Sequence, residues 1–232
     1  MEKLSKRDLW LSWILLLILS VIWGSSYILI KRGLTAYDPL QLAAVRLAVS
    51  ALTFFPFFFF VYKSVDWSKW QYLLIIGLTG NAIPAWLFAK AQTKLSSSLA
   101  GVLNSLTPLF TLLLAVVIFN LPFKRNTLFG VLLGFIGAIT LAWFGESSGA
   151  TSDSTYVLYV VGAAFCYAIS SNTVASKLKG ISSMTLSAAS FIFLLPIGLV
   201  LFFGSDAHTT TCLLYTSPSP RDATLSRMPS SA

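Results

Sequence analysis

Long apolar runs, each closed by a short polar break, recur seven times between residues 10 and 203. They cover 10–30, 40–62, 70–89, 96–121, 128–144, 156–175 and 181–203. About 20 such residues cross the ~30 Å hydrocarbon core of a bilayer. The runs do not alternate: Leu15-Leu16-Leu17-Ile18-Leu19 and Phe57-Phe58-Phe59-Phe60 are uninterrupted, whereas membrane-barrel strands alternate apolar and polar over about ten residues. Backbone groups in lipid have to bond within their own segment, so all seven are predicted to be helices. The fold class expected is all-α, a polytopic membrane helical bundle with short connections and no soluble domain. Lys3, Lys6 and Arg7 precede the first run as they would in a secretory signal. Its apolar core is too long for one and no small-x-small cleavage site follows, so a retained first helix is expected.

Composition agrees with lipid as solvent: hydrophobic residues make up 56% and charged residues 10% of the 232. The net charge of +8 matters through its placement. With the N-terminus inside, cytoplasmic segments carry Lys3, Lys6, Arg7, Lys63, Lys69, Lys124, Arg125, Lys177 and Lys179, against Lys31, Arg32, Lys90 and Lys94 outside. That excess predicts an inside N-terminus, with basic loops facing anionic lipid. No basic cluster sits on a soluble surface, so nucleic acid is not an expected partner.

After the last run the chain changes character. Residues 212–232 lack both helical periodicity and an apolar run, and they resemble the conceptual translation of a transposase-type sequencing adapter. Residues 212–222 correspond to the constant end, 223–225 to a variable index and 226–232 to a flow-cell segment. The other reading is a natural disordered polar tail. On the adapter reading the native sequence stops near Thr211, the tail is disordered, and the chain as written does not transport. Without Cys212 only Cys166 remains, so no disulfide is expected.

Polar groups inside the runs mark where function would lie. Arg46 is a formal charge about six residues into the second run, ~9 Å deep at the helical rise. Placing it against lipid costs roughly 2.5–3.5 kcal/mol. It would hold a carboxylate in two-pronged geometry, or it snorkels to the interface or pairs with Asp38. Trp23, Ser25, Ser26 and Tyr27 fall in the outer half of the first run. Asn81 and Trp86 lie at mid to outer depth in the third, and Asn104 ~12 Å down in the fourth. Together they predict a water-accessible cavity between helices, although the tryptophan and tyrosine also suit an interfacial belt and the asparagines also suit interhelical bonds. Ser97, Gly101 and Ser105, like Gly130 and Gly134, recur every four residues, a spacing that lets helices approach closely. Pro84 and Pro108 can open a helix beside a cavity.

These features combine in a recognisable way. Trp23-Gly24-Ser25-Ser26-Tyr27 with Lys31, Asp38-Pro39 with Arg46, Ser96-Ser97-Ser98-Leu99-Ala100-Gly101 followed by Asn104-Ser105-Leu106-Thr107-Pro108-Leu109, and Gly130, Gly134 and Gly137 resemble the EamA family of the drug/metabolite transporter superfamily. The resemblance covers residues 8–204. It implies ten helices in two five-helix repeats, of which residues 1–146 would be the first repeat and 154–204 the opening pair of the second, giving seven helices of ten. An odd-numbered repeat has to insert its second copy upside down. Tyr167-Ala168-Ile169-Ser170-Ser171-Asn172 with Lys177 forms a loose counterpart of the first run's motif, which adds Tyr167 and Asn172 to the substrate-binding candidates. With the remaining helices missing, these two are expected to face lipid or a gap. One departure stands out: the family's usual Glu, nine residues before the first glycine of the fifth span, is Leu121 here.

Enzymes are not favoured. No carboxylate pair, His cluster or Cys/His set occurs within a run, so no catalytic residue, metal or cofactor is expected. A channel would want a charged ring or carbonyl filter, and neither is present. The reading is a secondary transporter, with a small-molecule solute and the lipid bilayer as its partners and no assignable coupling ion. The resemblance implies export of amino acids or related metabolites across a bacterial cytoplasmic membrane by alternating access. A nucleotide-sugar or other metabolite carrier of the same superfamily, or a non-transporting membrane protein or enzyme, is the alternative.

Overall fold

The structure, a computed structural model, describes residues 6–118, 128–134, 136, 137, 140 and 154–210. Among these residues six helical segments are long and apolar enough to cross a membrane. The fifth predicted run, 128–144, is helical over 128–134; its remainder lies largely outside the described residues, as do Leu121, Lys124, Arg125 and the 212–232 tail.

Helix α1 spans Lys6–Gly33, and Lys31 and Arg32 in its last turn meet the negative end of the helix dipole. Helix α2 spans Pro39–Val61 and begins where Asp38 turns extended. Proline suits the first helical position because its missing N–H has no intrahelical partner there, and the Gln41 side chain accepts from the Asp38 N–H at 3.1 Å. The third span is broken into α3 (Trp70–Gly77), a π-helical turn over Leu78–Ala82, and α4 (Ile83–Gln92). Pro84 has no N–H to return to Gly80, so the ladder widens there and Ile83 N–H reaches back to the Leu78 carbonyl. The fourth span likewise splits, into α5 (Ser97–Asn104) and α6 (Thr107–Val117), just before Pro108. Helices α7 (Ser154–Lys177) and α8 (Ser183–Gly204) complete the described bundle.

Packing explains the arrangement. The most extensive contact is α2 on α8. It is made possible by Gly198, where an added Cβ would sit 3.1 Å from the Ala48 nitrogen, and is braced by Phe54 stacked on Phe191 at 4.9 Å. Helix α7 lies against α3, α4, α5 and α6, whereas among the described residues α1 touches only α4 and α5 to any extent. The first two-thirds of α1, from Leu9 to Trp23, is therefore an exposed apolar surface suited to lipid.

Two expectations are corrected here. Asn172 and Tyr167 do not face a gap: Asn172 is 2% exposed and Tyr167 is half-buried, because α4 and α6 cover α7. Close helix approach is not made by the stripes at 101 and 130–134 either. Gly101 has only ordinary contact with the Tyr27 ring at 3.6 Å, and Gly130 and Gly134 meet nothing within 4 Å among the described residues. Gly198, Gly77 beside the Ser190 carbonyl and Gly80 beside Ser170 make the tight approaches instead.

Candidate functional site

Arg46 enters the bundle from the second turn of α2. Ala43, Ala44, Leu47 and Ala48 around it are buried against neighbouring helices, so the helix carries its long polar side chain inward. Among the described residues the guanidinium forms no ion pair; the salt bridge there is Lys69–Asp66, at 3.3 Å. Asp38 is occupied at the start of α2 rather than on Arg46. The Arg46 Nη1 is enclosed and has no hydrogen-bond partner among the described residues. The phenol groups of Tyr27 on α1 and Tyr167 on α7 are near enough to act on the guanidinium electrostatically.

An aromatic and amide wall surrounds this cation. Phe88 on α4, buried, sits between the two tyrosines. Tyr27 meets it edge-on at 5.5 Å, and Tyr167 stacks on it at 6.0 Å. Asn104 at the end of α5 lies beside the Tyr27 side chain, and its Oδ1 accepts from Thr107 at 3.1 Å. Four of the residues named from the sequence (Tyr27, Arg46, Asn104 and Tyr167) thus converge from four different helices.

The others do not. Trp23, one turn before Tyr27, is 62% exposed, because nothing among the described residues packs on that part of α1. Ser25 is exposed and donates to the Ile22 carbonyl at 3.0 Å, and Ser26 is half-buried beside it. Asn81 lies within the π-helical turn. Trp86 packs edge-on against Tyr159 at 5.9 Å. Asn172 spends its amide on the Thr111 and Ala168 carbonyls, both at 2.9 Å, which joins α7 to α6.

Three participants were not among the site candidates named from the sequence, although Lys31 and Ser97 belong to the motifs that carry the family resemblance. Gln92 is fully buried, with its Nε2 unpartnered. Ser97 donates to the Tyr27 carbonyl at 3.1 Å and approaches Gln92 Oε1 at 3.4 Å. Lys31 donates to the Gln92 and Leu95 carbonyls at 2.7 and 3.1 Å, closing the end of α4 with a cation where the helix dipole is negative. Each is an ordinary surface or turn residue by type, and only long-range contact reveals it. Beside Tyr27, between α1, α5 and the helical residues Gly134, Gly137 and Thr140, opens a slot of about 920 Å³. Among the described residues no three His, Cys, Asp or Glu side chains group as metal ligands.

Chemically, the arrangement is a cation with an unfilled donor in a low-dielectric setting. An unpaired buried charge is costly, and an anion placed on Nη1 would form a charge-assisted hydrogen bond.

The sequence pattern of the EamA-like transporter family matches residues 10–143. An "Uncharacterized transporter" of Archaeoglobus fulgidus is 24% identical over 130 residues, 56% of this chain and 47% of that protein. A "Probable amino-acid metabolite efflux pump" of Salmonella typhimurium is 29% identical over 169 residues, 71% of this chain and 52% of that protein. Its namesake in Escherichia coli strain K12 is 31% identical over 129 residues, 55% and 42%. The chain thus spans about half the length of these relatives. No solved structure matches it.

Proposed function

The chain belongs to the EamA-like transporter family, and we propose from that premise that it serves as a secondary carrier exporting small organic solutes across a bacterial cytoplasmic membrane. The solutes are amino acids or related metabolites, in line with the names of the Salmonella and Escherichia relatives. The N-terminus lies inside, as the basic loops require, and the solute moves by alternating access around a site near mid-membrane, where inverted-repeat carriers bind their cargo. Residues 1–146 form the first repeat and 154–204 the opening pair of the inverted second.

The single observation carrying this reading is the Arg46 Nη1, which has no partner among the described residues and lies within electrostatic reach of Tyr27 and Tyr167. A structural arginine in lipid would be expected to consume its donors on carbonyls or a carboxylate. This one keeps a donor free inside the bundle, where a solute carboxylate can take it. Two tyrosine hydroxyls and the Asn104 amide supply further polar contacts, and Phe88 holds both tyrosine rings in place.

Efflux of radiolabelled amino acids from preloaded cells tests the reading, using the full reading frame of the locus. Arg46→Ala should abolish efflux while membrane expression persists. Arg46→Lys should restore it only in part, because an ammonium lacks the planar fork. Undiminished efflux by Arg46→Ala would remove Arg46 from the pathway.

A further inference from the structure

Resting on Arg46 as the anion anchor, we propose that the slot between α1, α5 and the helical residues Gly134, Gly137 and Thr140 receives the apolar body of the transported anion. Gly24 and Gly101 set how large that body can be. The site would then take an amphipathic carboxylate, with its charge at Arg46 and its side chain in the slot.

Size comes first: about 920 Å³ is within the range that small-molecule sites occupy, roughly 300–1,000 Å³. Its position is the second ground. Tyr27 lines the slot and is also one of the two phenols acting on Arg46, so the two compartments share a wall. The wall's chemistry is the third. Gly24, Gly101, Gly134 and Gly137 contribute no side chain. The hydroxyls of Ser97 and Ser105 are already spent on the Tyr27 and Val102 carbonyls, at 3.1 and 2.6 Å. Thr140 likewise donates to the Ile136 carbonyl at 2.9 Å, which leaves the exposed Ser98 hydroxyl as the one uncommitted serine or threonine donor of the described lining, so the slot suits hydrocarbon better than a second charged group.

The glycines fix the dimensions. A Cβ on Gly24 would meet nothing within 4 Å, and one on Gly101 would make ordinary contact with the Tyr27 ring at 3.6 Å. Neither glycine is needed to let helices touch, unlike Gly198. Side chains added at these two positions would occupy the slot rather than force the bundle apart.

The test is equilibrium dialysis of three probes against the full chain in lipid nanodiscs: N-acetylglycine, N-acetyl-leucine and the uncharged N-acetyl-leucinamide. The chain should bind N-acetyl-leucine roughly tenfold or more tightly than N-acetylglycine, the factor that burying a leucine side chain carries. It should disfavour the amide by a similar factor, about that of one charge-assisted hydrogen bond. Gly24→Leu should bring the leucine-to-glycine ratio to about one. Gly101→Ala, whose added methyl fits, should lower that ratio without touching the preference for carboxylate over amide. Arg46→Gln should erase the carboxylate preference.

Equal binding of N-acetyl-leucine and N-acetylglycine by the unaltered chain overturns the inference and leaves the slot to a lipid acyl chain. A leucine preference that survives in both glycine variants overturns it too, with Arg46 still the anchor. Unchanged carboxylate preference in Arg46→Gln overturns the underlying reading instead. Absence of binding by all three probes overturns both.

Discussion

Gly198→Ala isolates what holds α2 against α8. The added methyl would lie 3.1 Å from the Ala48 nitrogen and 3.3 Å from both Ala48 Cα and the Leu47 carbonyl carbon. All three are backbone atoms and cannot rotate away. Carbon contacts settle at about 3.5–4.0 Å, so the helices have to part by roughly 0.3–0.5 Å. Overpacking of this kind costs about 1–3 kcal/mol, offset by up to ~1 kcal/mol for replacing glycine within a helix. The net expectation is a loss of about 1–2 kcal/mol. Gly24→Ala is the control, since its Cβ meets nothing within 4 Å and it should be neutral or stabilising by up to ~1 kcal/mol. SDS titration in mixed micelles, followed by far-ultraviolet circular dichroism, reads both. If Gly198→Ala unfolds at the same SDS fraction as the unaltered chain, or Gly24→Ala is equally destabilised, the close α2–α8 approach is not what stabilises the pair.

Three further outcomes are expected. Single cysteines at 63, 124 and 177 should resist membrane-impermeant thiol reagents in intact cells and react after permeabilisation; strong labelling of position 124 from outside would invert the topology. The Asp66 carboxyl lies in the loop before α3 and is held below the ordinary range, first by hydrogen bonding from Ser68 and then by Lys69. A depressed carboxylate contributes stability above its unfolded pKa and loses it as pH falls through the folded one. Asp66→Asn should therefore unfold slightly earlier than the unaltered chain at pH 7, and the two SDS midpoints should converge below about pH 4; a gap that persists in acid would exclude the carboxylate as its source. Resequencing the locus should show a reading frame continuing beyond Thr211 in place of 212–232, and a native transcript encoding that segment would refute the adapter reading.

Much of the fold was legible because lipid imposes a simple rule on sequence. Leu15–Leu19 and Phe57–Phe60 have no soluble-protein explanation, and a backbone in hydrocarbon has no partner but itself. Helix starts rest on local chemistry in the structure, as at Asp38-Pro39 and Ser182. Pro84 and Pro108 marked the breaks in the third and fourth spans for the same reason. Arg46 stood out because a charge at that depth needs a purpose.

What the sequence could not supply was which side of each helix meets which neighbour. Trp23 and Tyr27 share a side of α1, yet α4 and α5 cover only the second, so one is exposed and the other joins Arg46. Asn172 resembles a binding residue until Thr111 is found beside it. The places of Gln92, Ser97 and Lys31 at the site emerged only from contacts made across dozens of residues. Glycines were equally opaque, since Gly198 and Gly24 are the same residue in the same kind of helix, one against backbone and the other against open space. Hydropathy sets how many times a chain crosses the bilayer, because the cost of an unsatisfied or polar group in hydrocarbon is paid residue by residue. Helix pairing is a difference between packings that all satisfy that rule, so only the assembled tertiary structure decides it.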